Sequence, residues 1–289
     1  MATLYLIPMK ASFYQTLFYL LVSLFLLSGC SDSAHPSLSS HKSHTSPDEC
    51  DSINVSGFEK LTILGTKNTN TVAVDWRSKG MVSPVKNEGA CHASWAFGIT
   101  ALVESYHAMT TGTLLSLSEQ QLIDCDAVGN ACSGDSDPIE SLKGMIGQNG
   151  LQTEALYPYT GVQGTCLFDA GHVAATIPGV GLLPSGDEES LKAYVDTVGP
   201  VLAFIDACHP SFLNYKSGVY YEPMCNNARP TRAVVIVGYG GEPGSEYWIV
   251  RASLGTEWGN SGYIYMSRNR DNNCGIASFA LSPANLSLE

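Results

Sequence analysis

The chain has 289 residues, 44% hydrophobic and 15% charged, enough to bury a large core in one domain or two lobes. Its formal net charge of -12 argues against nucleic acid as a partner and against electrostatic docking on anionic lipid. Nine cysteines without a CxxC-and-His zinc spacing point to a disulfide framework with leftovers, and no metal or other cofactor is expected.

In chain order, residues 1–30 carry one basic residue, Lys10, followed by an apolar run from Leu17 to Leu27. The run is short for a membrane span and no positive stop follows it, so a signal peptide is expected, with an uncleaved anchor as the alternative. Leu27-Ser28-Gly29-Cys30 is also shaped like a bacterial lipobox, which would lipidate Cys30. Contact with a membrane is expected only through such an uncleaved or lipidated N-terminus. Residues 31–70 are rich in Ser, His, Asp, Thr and Asn and read as a flexible linker or the remnant of a pro-segment. Asn54-Val55-Ser56 and Asn285-Leu286-Ser287 are sequons, making Asn54 and Asn285 glycosylation candidates, the second in a short tail over 285–289.

From Ser94 on, Trp95, Phe97, Ile99, Leu102, Val103, Tyr106 and Met109 recur at helical spacing up to Gly112. A second helix is expected from Ser116 or Ser118, both of which fit a capping box. A third runs from about Pro138 to Gln148 and stops at Gly150. After about Leu183 one more helix is expected, Asp187 to Val198, capped by Ser185 with Glu188 three residues on. Strands follow at Val201–Ala207, Gly218–Tyr221, Ala233–Tyr239, Tyr247–Val250 and Gly262–Met266, bounded by Gly, Pro or Asn.

The stretch Asn87-Glu88-Gly89-Ala90-Cys91-His92-Ala93-Ser94-Trp95-Ala96-Phe97, together with Val74-Asp75-Trp76-Arg77 and Val237-Gly238-Tyr239-Gly240, resembles papain-like cysteine peptidases of the cathepsin L type. The resemblance runs to about Pro283. It implies an α+β, two-lobe fold over 71–284, with a helical left lobe at about 75–183, an antiparallel barrel-like right lobe at about 184–284, and a cleft between them. It implies three disulfides: Cys91 with Cys132, Cys125 with Cys166, and Cys225 with Cys274. Closing loops of this length contributes roughly 3–4 kcal/mol each in the chain-entropy model. Cys30, Cys50 and Cys208 are left over, and Cys208, just after an apolar strand, reads as an inert core thiol. Active relatives carry a long helical propeptide where this chain has about forty polar residues, which fits a site that needs no restraint.

The family pattern departs where the chemistry should be. Ser94 stands at the position of the nucleophilic cysteine. A helix N-terminus cannot ionise an aliphatic alcohol near neutral pH, so a serine there needs a general base within hydrogen-bond reach. The family's base is a His before the Val-Gly-Tyr-Gly strand; here it is Arg232, whose guanidinium cannot accept a proton. The orienting Asn is Ala252, and Leu254 replaces the shielding Trp. The oxyanion-hole Gln is Glu88, a carboxylate that would repel the developing charge; losing one such donor costs about 10²–10³ in rate. The resulting expectation is a secreted or lysosome-like, non-catalytic relative that binds peptides, proteins or cystatin-like inhibitors. The alternative is a hydrolase using Ser94 with an unrelated base, for which His92 and His209 are the imidazole candidates. A silicatein-like role would keep the His, and Arg232 argues against it. Glu88 and Arg232 are expected to pair across the cleft floor. In Cys132-Ser133-Gly134-Asp135, the side chains of Asp135 and of His92 are expected to narrow the cleft where active relatives have glycine.

Overall fold

The computed structural model describes residues 52–54, 71–127, 130–133 and 137–283. The leader, most of the linker, Cys30, Cys50, Gly134, Asp135 and Asn285 lie outside the described residues.

Helix α1, Ser94–Thr111, is the axle of the fold. Periodicity predicts one apolar face, yet the helix is buried nearly all round as far as Ala108, including Thr100, Glu104 and Ser105. It ends at Gly112, whose φ of 76° supplies the left-handed turn that closes it on the Ala108 carbonyl. Gly98 lets α1 come down onto the sheet. A Cβ there would sit 2.5 Å from Leu202 Cδ1. Helix α2, Glu119–Asp124, is capped by Ser118, which accepts from the Gln121 N–H; of the two candidate caps the structure selects Ser118. Helix α3, Pro138–Gly147, has Asp137 as its cap and Pro at its first turn.

The sheet has eight strands among the described residues: β1 Val74–Asp75, β2 Val180–Leu182, β3 Val201–Ile205, β4 Val219–Tyr220, β5 Arg232–Gly240, β6 Tyr247–Arg251, β7 Tyr263–Ser267 and β8 Phe279–Pro283. Their order is β2-β8-β3-β5-β6-β7-β4, with β1 added to β5. Pairing is antiparallel throughout except between β4 and β7. Strands β1, β2 and β8 are too short or too apolar to alternate and are not visible as strands in the sequence. β1 and β2 also show that the chain crosses to the sheet at both ends of the helical stretch. Helix α4, Glu188–Thr197, packs on this half; its cap is Asp187, which accepts from the Glu189 and Ser190 N–H groups. The predicted cap Ser185 is corrected: its hydroxyl instead donates to the Ser278 carbonyl. A short helix, α5, spans Pro210–Leu213 where none was predicted.

Two large cores result. One surrounds α1 with Trp95, Ile99, Leu102, Leu122, Ile139 and Phe204; the other fills the sheet side with Leu191, Phe212, Tyr239, Trp248 and Ile264. The bridges Cys91–Cys132, Cys125–Cys166 and Cys225–Cys274 are all present. Cys208 is corrected: it is disulfide-bonded, not a free core thiol, and its partner lies outside the described residues. No helix among the described residues is long and apolar enough to cross a membrane.

Candidate active site

The N-terminus of α1 is fixed by the segment before it. Cys91 is bridged to Cys132, and the His92 N–H donates to the Cys132 carbonyl at 3.1 Å. Trp95 reaches the Ala131 carbonyl through its indole N–H at 3.2 Å. Upstream, Asn87 forms a bridge with Leu254, the Glu88 N–H donates to the Ser253 carbonyl at 2.9 Å, and the Gly255 N–H donates to the Lys86 carbonyl at 3.2 Å. Residues 86–88 are thus stitched to 253–255, which brings the first half of the chain against the loop after β6.

Ser94 is buried, 7% exposed. Its Oγ accepts from the Ala233 N–H at 3.1 Å, so the hydroxyl is docked on the backbone next to Arg232. Arg232 turns away from it toward Glu88. Its Nη1 donates to Glu88 Oε1 at 2.6 Å, and Ser253 Oγ donates to Oε2 at 2.8 Å. The Glu88 carboxylate is nearly sealed from solvent and the Arg232 side chain is 15% exposed. A charge so placed is stabilised only by its partners, and charge-assisted bonds of this length are the strong kind. The Glu88 main chain is held as well: Tyr159 donates its hydroxyl to the Glu88 carbonyl at 2.7 Å and packs edge-on to Phe97. Burial, reinforced by the nearby Glu88, Glu119 and Glu154 carboxylates, pushes the Tyr159 phenol up to about 12. Ser253 and Tyr159 were not singled out from sequence. Ser253 lies inside the Arg-Ala-Ser-Leu-Gly motif, and nothing in the motif itself marks its hydroxyl as a partner of Glu88.

Ala252 is buried and, with Ser94, Phe97, Gly98 and Ala233, lines a void of about 10 Å³, the lower bound for a single water. Neither imidazole candidate bonds to Ser94 Oγ. His92 is exposed beside the helix start. His209 pairs through Nε2 with Asp206 Oδ2 at 3.0 Å, and Asp206 also accepts from the Asn226 N–H. Asp206, His209 and Cys225 come close enough together to suggest a metal site, but the Cys225 sulfur is committed to Cys274 and offers no thiolate.

A second buried cluster lies under α1. Lys86 Nζ donates to Glu104 Oε1 at 3.1 Å, to Glu119 Oε1 at 2.7 Å and to the Leu117 carbonyl at 2.8 Å. Thr100 donates to Glu119, Ser83 donates to Glu104, and Arg251 donates to Ser83 Oγ at 2.9 Å. Burial pushes the Glu119 carboxyl up to about 7, against the pull of Lys86 and Thr100.

The profile of the papain family of cysteine proteases matches residues 71–284. The chain belongs to that family. It is 48% identical over 214 residues to digestive cysteine proteinase 2 of Homarus americanus, covering 73% of this chain and 65% of that one. To a cathepsin L-like peptidase of Aedes aegypti it is 44% identical over 229 residues, covering 78% and 67%. The chain therefore spans about two thirds of the length of these relatives. Among solved structures, digestive procathepsin L 3 of the Tenebrio molitor larval midgut superposes with a TM-score of 0.71 at 41% identity, covering 78% of this chain and 73% of that one. Bromelain of Ananas comosus in complex with the inhibitor E64 gives 0.68 at 36% identity, covering 74% and 99%. The papain-like, cathepsin L-like fold is thereby established.

Proposed function

We propose that this family member binds at its cleft without cutting. The observation that carries the reading is the 2.6 Å pair between Arg232 and Glu88. A permanent cation occupies the base position, and its charge is spent on a buried carboxylate in the place of an oxyanion donor. The Ser94 hydroxyl accepts a backbone hydrogen bond and meets no group that can take its proton among the described residues. The natural ligands of such a cleft are peptides, unfolded protein segments or cystatin-like inhibitors, for which the protein would act as a decoy or recognition surface. The signal-peptide-like start and the three disulfides favour a secreted or lysosome-like compartment. The relatives' names as proteinases favour the competing reading, in which Ser94 still acts. Incubation of the purified chain with denatured casein separates the two. The expected result is no hydrolysis above the Ser94→Ala background, together with measurable binding of a cystatin. Hydrolysis that disappears in Ser94→Ala would overturn the proposal.

A further inference from the structure

The polar groups around Ser94 divide into acceptors that are spent and donors that are not. Glu88 accepts from Arg232 at Oε1 and from Ser253 at Oε2, and its carbonyl accepts from the Cys91 N–H and the Tyr159 hydroxyl. The Cys91 carbonyl takes the Ala93 N–H at 2.7 Å, and the Ala93 carbonyl takes the Ala96 and Phe97 N–H groups. The Cys132 carbonyl takes the His92 N–H, and Ser94 Oγ takes the Ala233 N–H.

The donors are less fully used. Arg232 gives one of a guanidinium's five N–H groups to Glu88, and no other hydrogen-bond partner meets it among the described residues. Ser94 is only 7% exposed, yet its hydroxyl proton meets no acceptor among the described residues. Helix α1 starts at Ser94 with no side-chain cap and no acidic residue in its first turn, so the Ser94 and Trp95 N–H groups keep the open positions that a helix start leaves. Over the 18 residues of α1 the aligned peptide dipoles place about half a positive charge at that end. The charges of Glu88 and Arg232 offset each other, so this partial charge sets the sign of the site. The approach is open on one side: Asn87, Gly89, Ala90 and His92 are exposed, and a Cβ at Gly89 would meet no atom within 4 Å.

We propose that this site takes the C-terminal carboxylate of a peptide, with Arg232, the Ser94 hydroxyl and the start of α1 as its donors. The proposal rests on the binding reading above and narrows the ligand to a chain end. A peptide that continued past Ser94 would carry a main-chain N–H into a place whose acceptors are taken, and a donor left unpaired there opposes binding. A chain end brings two oxygen acceptors and no donor. Glu88 is not stranded by the newcomer, because its two oxygens keep Arg232 and Ser253. Hydrogen bonds from a cation to a carboxylate are about twice as strong as neutral ones, so a terminal acid is preferred to a terminal amide. The amide also carries two N–H donors for which the site has no acceptor.

Two pools of randomised octapeptides, one with free C-termini and one amidated, test the ligand on the immobilised full chain. The free-acid pool should be retained about tenfold more tightly, the factor expected when neutral hydrogen bonds become charge-assisted ones. Equal retention, as a side-chain carboxylate would give, overturns the proposal, and so does retention of neither pool. The Arg232 Nε–H resonance reports the contact directly. It should move on titration with the free-acid pool and stay in place with the amidated pool; a resonance that moves with neither overturns the role of Arg232. The double variant Glu88→Gln with Arg232→Met removes both charges together and should lose the preference for the free acid, and a preference that survives it overturns that role as well. Ser94→Ala should keep the preference and bind about threefold more weakly, and unchanged affinity removes the hydroxyl from the site. A cystatin that binds a chain indifferent to the two pools would leave the binding reading standing and sink the chain-end proposal alone.

Discussion

Lys86 and Glu88 stand two residues apart and open into two buried ion clusters of different kinds. Lys86 points under α1 and meets two carboxylates, Glu104 and Glu119, from the helical half alone. Glu88 points toward the sheet and meets one cation, Arg232, and one hydroxyl, Ser253. In the first cluster burial, reinforced by the neighbouring Glu104 carboxylate, lifts Glu119 to about 7 against the pull of Lys86. The second is matched one to one and joins residues 144 positions apart. The first ties the segment before α1 to α1 and α2. The second joins the segment before α1 to the start of β5, next to the residue that docks Ser94.

The comparison breaks most visibly at the cations. Lys86→Met strands two nearly solvent-free carboxylates and should cost about 5 kcal/mol in urea unfolding, the upper end of what removing one partner of a buried pair costs. Arg232→Met strands one and leaves Ser253 in place, so about 3 kcal/mol is expected. Adding Glu88→Gln to Arg232→Met should recover most of that loss, since it removes the orphaned charge. The same addition to Lys86→Met should recover nothing. Recovery in both backgrounds would mean that the clusters are one network. Ser253→Ala removes a single charge-assisted bond, and about 1.5 kcal/mol is expected for it.

The unequal legibility of the two clusters has a physical basis. Ser94, Arg232 and Ala252 could be placed from sequence because each sits inside a short motif whose neighbours are intact, and the six framework cysteines could be paired for the same reason. Glu88 with Arg232 could be anticipated because their motif positions flank Ser94 from two sides. Tyr159 could not, because its partner is a main-chain carbonyl 71 residues away. Glu104 was hidden by the helical period, which treats a buried glutamate as an outward-facing one until Lys86 is known to lie beneath it. Cys208 reads as a free thiol from sequence because its apolar neighbours describe its burial and say nothing of its bonding. Ser185 and Asp187 are both good caps two residues apart, and only the backbone decides between them.

The finest test of the contrast is pH. Glu119 has its folded value raised from 4.5 to about 7, so between those values the folded state holds a proton that the unfolded chain has released. Its contribution is complete below pH 4.5 and declines as pH rises toward 7. From pH 5 to pH 6 the loss should be about 1 kcal/mol, measured as the shift of the urea midpoint at constant slope. The carboxylates of Asp75, Asp169 and Asp187 are held low: Asp75 by Arg77, which outweighs its own burial, and Asp169 and Asp187 chiefly by hydrogen bonds. Their effect has the opposite sign and falls below pH 5, so it leaves this window clear. Glu119→Gln should flatten the decline, because the amide keeps an acceptor for Thr100 and cannot ionise. Glu88→Gln should leave the decline in place. If it is Glu88→Gln that flattens the curve, the titrating carboxylate lies beside Arg232 and the division between the two clusters is wrong.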